Sequence, residues 1–88
     1  MDKQLLEDIL KDNAASNMLF VSLVSADSLI NVDSCKKSLK MLRDMERLLP
    51  EVNLSLSDKE RFRNLIDKSI GIVNRDLENF KKRKKILN

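Results

Sequence analysis

The sequence predicts an all-α protein, a small bundle of three or four helices, from three observations. Apolar residues recur every three or four positions through most of the chain, which is the pattern of amphipathic helices around a shared core. The 88 residues include one Gly and one Pro, whereas all-β folds need many turn residues. An apolar fraction of 42% beside 35% charged residues is typical of chains that fold.

Length and cysteine content limit the organisation of the chain. Two domains within 88 residues would each lack a sufficient core, so we expect one domain over 1–88, ending in a basic segment at 81–88. Cys35 is the single cysteine and cannot form an intramolecular disulfide, which fits a reducing, cytoplasmic setting. The acidic N-terminus is unlike a signal peptide, and the most apolar stretch, 18–24, is far shorter than the about 20 residues of a membrane span.

The first helix is predicted over 2–12, with an apolar stripe of Leu5, Leu6, Ile9 and Leu10. Continuing that helix would bury three polar side chains, those of Asn13, Ser16 and Asn17. A break near Asp12 and Asn13 avoids this burial, with Asn13 capping a second helix over 14–30. The second helix is apolar on most sides from Met18 to Val24, so we expect it to be the buried core helix. In a bundle of three or four helices the other helices can hardly surround the second helix on all sides. A homodimer through Met18 to Val24 is therefore an alternative.

The third helix is predicted over 34–49, capped by Asp33 or Ser34, with an inward face of Cys35, Leu39, Leu42, Met45 and Leu49. Pro50 ends it, and the following loop at 50–57 is expected to lean three apolar residues on the core: Val52, Leu54 and Leu56.

The fourth helix is predicted over 58–85, because Ser57 and Glu60 have the spacing of a capping box. Its inward stripe is Phe62, Leu65, Ile66, Ile70, Val73, Leu77 and Phe80. Gly71 falls on the opposite side of this helix.

The residue inventory argues against enzymatic function. The chain has no His, Tyr or Trp, one Cys and one Gly, so His-based triads, zinc sites and glycine-rich phosphate loops are excluded. Neighbouring carboxylates point in different directions on a helix and are poor acid-base pairs. Cys35 falls on an apolar face, where a buried and inert thiol is expected. We therefore expect no catalytic residue, no metal and no cofactor.

Two basic features are candidate partner-binding sites. Lys36, Lys40, Arg43 and Arg47 lie within about 60° of one another on the third helix, opposite its apolar face. Lys81, Lys82, Arg83, Lys84 and Lys85 end the fourth helix. A charged outer face and cations near a helix C-terminus also have structural explanations, namely solubility and the helix dipole. Both features are alternatively contacts for phosphates or an acidic protein surface.

Charge changes from acidic to basic along the chain, with two bases and five acids in 1–32 but ten bases and five acids in 57–88. Either the acidic first helix packs beside the basic later ones, or the chain has an acidic partner.

The first functional hypothesis is a non-enzymatic protein-interaction module, a small regulatory or adaptor protein that binds a larger protein through a helix face. The alternative is a basic accessory protein that binds nucleic acid or an anionic surface through Lys36, Lys40, Arg43, Arg47 and the run at 81–85. In size, basic balance and helicity the chain also resembles the helical-bundle immunity proteins that protect bacteriocin producers. This resemblance covers general character and implies a third, immunity-type alternative.

Overall fold

The computed structural model describes the backbone of residues 1–87 and the side chains of residues 1–83. Within that part the chain forms four α-helices, α1 (Lys3–Lys11), α2 (Asn13–Val24), α3 (Val32–Leu48) and α4 (Leu56–Leu87), with a 3-10 turn at Leu49–Glu51 and no strand. The predicted all-α fold is confirmed. The molecule measures 49 × 19 × 19 Å, and α4, at about 1.5 Å per residue, spans its whole length. None of the helices described is sufficiently long and apolar to cross a membrane.

Asp12 separates the first two helices, as the polar side chains after it predicted. It has an extended backbone, and its carboxylate accepts hydrogen bonds from the amides of Ala14 and Ala15. Asp12 therefore caps α2, and the prediction that Asn13 does so is wrong. Asn13 is the first helical residue instead, because the Asp12 carboxylate already satisfies two free amides of the first turn.

The second helix ends at Val24, six residues before the predicted end at residue 30. The hydroxyls of Ser25 and Ser28 bond each other at 2.9 Å, and the amides of Ser28 and Leu29 donate to the Ser25 carbonyl. These local bonds compete with helix continuation, and the turn that they form places Leu29 in the core at 4% exposure.

The third and fourth helices each begin two residues before the predicted positions, because an earlier residue provides the cap. Asn31, and neither Asp33 nor Ser34, caps α3: its side chain accepts from the Ser34 amide at 2.8 Å while the Ser34 hydroxyl accepts from the Asn31 amide. At α4 the Ser55 hydroxyl accepts from the Asp58 amide at 3.1 Å, so the predicted capping by Ser57 is wrong.

The core lies mainly between α3 and α4, which run antiparallel. The Lys59 ammonium donates to the Pro50 carbonyl at 2.9 Å at one end of the pair, and Cys35 lies near Asp76 toward the other. Phe20 stacks on Phe62, with ring centroids 6.4 Å apart, and so joins α2 to α4. The most deeply buried side chains are those of Leu6, Cys35, Leu42, Met45, Leu49, Val52, Ile66 and Val73.

Several apolar residues predicted to be inside lie at the surface. Leu5 and Leu65 sit at the edges of their stripes and are 49% and 37% exposed. Leu56 does not lean on the core, because it opens α4 and points outward, with 84% of its surface exposed. The prediction that α2 is buried on most sides is also wrong: its neighbours cover one face, and Met18 and Val21 on the other face stay exposed.

Candidate functional site

The four basic residues predicted on the third helix form a continuous exposed strip, here called the basic stripe: Lys36, Lys40, Arg43 and Arg47. Leu42 and Met45 anchor the opposite face of α3 in the core and are fully buried. The amphipathic pattern of α3 therefore points the basic stripe away from the bundle.

The stripe is not uniformly available for a partner. Arg43 pairs with Glu46 and Arg47 pairs with Asp44, each at 3.5 Å and each between residues three apart on α3. Among the side chains that the structure describes, Lys36 and Lys40 make no ion pair. Exposed pairs of this kind contribute little to stability, about 0.3–0.5 kcal/mol, but they reduce the local positive field. Within the stripe, the charges without an ion pair among the described side chains thus lie in the N-terminal half of α3.

The basic run at the end of α4 adds positive charge near the N-terminal half of α3. Lys81, Lys82 and Arg83 are exposed on a helix that continues to Leu87, while the side chains of Lys84 and Lys85 lie outside the described residues. Lys81 pairs with Glu78 at 3.8 Å. Because α3 and α4 are antiparallel, the structure brings the Lys36 end of the stripe and Lys81 to the same end of the molecule, whereas Arg47 lies toward the other end.

This basic end lacks a platform on which nucleobases could stack. Phe80, the nearest aromatic residue, is half-buried, and the Arg83 guanidinium lies 5.5 Å from its ring centroid. Single-strand recognition commonly uses exposed aromatic rings. The arrangement can therefore attract phosphates by charge, without reading bases.

The acidic first helix does not neutralise the basic ones by ion pairing. Among residues 1–83 every ion pair joins side chains three or four positions apart on one helix. Glu7 of α1 instead accepts a hydrogen bond from the Asn53 amide, which places α1 beside the loop that joins α3 to α4. That loop lies at the end opposite Lys81, so α1 and the exposed basic residues Lys81, Lys82 and Arg83 lie toward opposite ends of the long axis.

The structure also shows how the side chains that could react or bind a metal are arranged. Within the described residues, no group of three or more Cys, Asp or Glu side chains could hold a metal ion. Cys35 has no exposed surface, and burial, reinforced by the nearby Asp76 carboxylate, raises the pKa of its thiol. The burial expected from the sequence is confirmed.

An exposed surface lies on α2, in the segment that the sequence analysis expected to be buried in the core or, alternatively, in a homodimer. We call it the α2 face: Ala14, Asn17, Met18, Val21 and Ser22. Met18 and Val21 are 72% and 62% exposed and form, with Asn17 and Ser22, the lining of a shallow, mostly apolar depression. The periodicity of the second helix could not indicate which side its neighbours leave open. One signal was present, because residues 13–26 contain no ionisable side chain in a chain with 35% charged residues overall.

The chain matches no model of a known protein family, no curated protein and no solved structure.

Proposed function

We propose that this protein is a non-enzymatic interaction module that binds another polypeptide through the α2 face. The observation that carries the proposal is the exposure of Met18 and Val21, side by side on a helix surface without charge. Large neighbouring apolar side chains in an uncharged setting are what the core of a protein interface contains. A regulatory or adaptor role in the cytoplasm fits a small chain with one thiol and no reactive constellation.

The geometry supports a helix as the element that the α2 face receives. Ala14, Met18 and Val21 follow one another at four and three positions, so they form a ridge along the helix surface. Such a ridge packs into the groove between side chains of a second helix. Ala14 leaves room for a close approach at one end, and Met18 is long and flexible enough to adapt to the partner surface.

Photo-crosslinking in cells of the native host tests this proposal, because it traps whatever polypeptide lies against the labelled position. A photoreactive benzoylphenylalanine replaces Met18 in one variant and Asn74, an exposed residue of α4, in the control. We expect a discrete adduct with another polypeptide from position 18 and none from position 74. Equal, diffuse labelling at both positions would contradict the proposal.

A second candidate function, binding of an anionic polymer, is favoured by one specific observation. The lysines of the basic stripe that make no ion pair among the described side chains, Lys36 and Lys40, lie at the same end of the molecule as Lys81, Lys82 and Arg83. A cluster of this kind attracts phosphates and releases their counterions.

Fluorescence anisotropy with a random-sequence DNA duplex tests this second function. If the four stripe residues contact phosphates, the affinity should fall roughly 100-fold between about 50 and about 200 mM salt. Replacing Lys36, Lys40, Arg43 and Arg47 with Gln should weaken binding much more than replacing four exposed bases elsewhere, Lys3, Arg63, Lys68 and Arg75. Equal losses in the two variants would show that only net charge matters.

A further inference from the structure

The outward side of α2 has the spacing of a helix-packing seam. Ala14, Met18 and Val21 follow at four and three positions, are all exposed, and lie within about 60° of one another around the helix axis. Phe20 and Leu23 anchor the opposite side in the core, at 5% and 9% exposure. The basic stripe of α3 repeats at the same intervals, but there the outward residues are charged. On α2 the outward residues are small or apolar, as residues between two packed helices are.

The absence of charged residues on α2 bears on which polypeptide covers this seam. In an interface related by a two-fold axis, each residue approaches a residue of the same patch, so any net charge on the patch meets the same charge on the other copy. Of the four helices, α2 is the one without an ionisable side chain, whereas α1, α3 and α4 each carry both signs. The α2 face therefore pairs with itself without like-charge repulsion at its centre.

We propose that α2 packs antiparallel against α2 of a second copy of this chain, with the two-fold axis passing between Met18 and Val21. This inference rests on the proposed function and names the partner of the same surface. In this register Met18 lies opposite Val21 of the second copy, and Ala14 lies opposite the C-terminal end of the second α2. Large side chains thus meet at the centre, and the small Ala14 side chain lets the helices approach closely at each end.

The size of the seam sets the strength of the association. From Ala14 to Val21 it extends about 10 Å along one helix, so it buries much less than the about 800 Å² per partner of a standard interface. The dimer is accordingly reversible, with dissociation in the micromolar range or weaker. Each copy carries a net charge of +3, and the nearest charged residues along the chain at the two ends of the seam are Asp12 and Asp27. Added salt screens the repulsion between copies and tightens the dimer, whereas it weakens the binding of an anionic polymer.

Sedimentation equilibrium tests the inference, from about 10 µM to about 1 mM protein, the range in which so small an interface associates. The wild-type average mass should rise above 10.2 kDa with concentration, and more at high salt. Met18→Glu places like charges beside the axis and should stay at the monomer mass. The matched control is Leu56→Glu, which makes the same kind of change at another exposed apolar residue and should associate as the wild type does.

Disulfide trapping provides a second measurement, which remains informative if the Met18→Glu protein does not fold. A mixture of Met18→Cys and Val21→Cys proteins should form a mixed disulfide faster than either protein alone, and buried Cys35 does not compete. A wild type that remains monomeric at the highest concentration, or a Met18→Glu variant that associates normally, would overturn the inference. If the wild type is monomeric but position 18 still crosslinks to another protein in cells, self-association is wrong and the proposed function stands.

Discussion

The carboxylate of Glu7 accepts a hydrogen bond from the backbone amide of Asn53 at 2.7 Å, across 46 positions of sequence. This bond ties α1 to the loop between α3 and α4. It lowers the pKa of Glu7, an effect that burial partly offsets and to which Lys11 and Gln4 add. The ionised form of Glu7 is therefore the form that stabilises the fold.

We expect this bond to make stability depend on pH. A carboxyl group with a lowered pKa in the folded state contributes its stability above the pKa of the unfolded chain, about 4.3 for Glu, and loses it as the pH falls through the folded value. The stability advantage of the wild type over Glu7→Gln should thus be constant near neutrality and shrink in acid. Urea unfolding of both proteins at several pH values from 7 to 3 measures this. An advantage that stays constant over the whole range would contradict the assignment.

Leu42 should be among the residues that matter most for folding, because its side chain is fully buried between α3 and the rest of the core. Leu42→Ala removes that packing and leaves a cavity, so we expect a loss of about 3 kcal/mol in the free energy of unfolding. The same substitution at Leu56, which is 84% exposed, should change stability by less than about 0.5 kcal/mol. Chemical denaturation of both variants makes the comparison, and similar losses would be inconsistent with the described core.

The cap of α3 provides a local prediction. Asn31→Ala removes the side chain that accepts the Ser34 amide and should cost about 1 kcal/mol. Asp33→Ala, at one of the two positions that the sequence predicted for the cap, loses only an interaction with the helix dipole, about 0.3–0.5 kcal/mol. Thermal unfolding of the two variants ranks them. A larger loss for Asp33→Ala would place the cap at Asp33 and contradict the cap at Asn31.

Gly71 is an exposed residue in the middle of α4, and no atom outside the surrounding helix lies within 4 Å of the position that a Cβ would take. Gly71→Ala should therefore stabilise the protein by about 0.5–1 kcal/mol, because Ala loses less conformational freedom in a helix. A higher midpoint in thermal unfolding would show the gain. Destabilisation would mean that the open surface beside Gly71 is occupied in solution.

Helical periodicity was sufficient to predict most of the inward residues of α3 and α4, because each of these helices has one wide apolar face and one charged face. Leu42 and Val73 are buried for this reason. The break between the first two helices could also be predicted, because a continuous helix would have buried three polar side chains.

Features that depend on how the helices pack together could not be predicted from the sequence in the same way. Ser55 and Ser57 each precede an acidic residue by three positions. Ser55 is the cap because the loop before α4 ends there, and local sequence does not determine that end point. The exposure of Met18 depends on which side of α2 the other helices leave uncovered. The bond between Glu7 and Asn53 joins residues too far apart for any local pattern to indicate.

The most direct test of the central claim, that another polypeptide covers the α2 face, is the rate of cysteine alkylation at position 18. Cys35 is buried and its thiol has a raised pKa, so Met18→Cys and a control, Asn74→Cys, each report on one exposed site. In dilute purified protein both cysteines should react at similar rates with a membrane-permeable maleimide. In cells of the native host the account predicts that the cysteine at position 18 reacts several-fold more slowly than the one at position 74. Equal rates in cells would show that the α2 face is bare and would contradict the account.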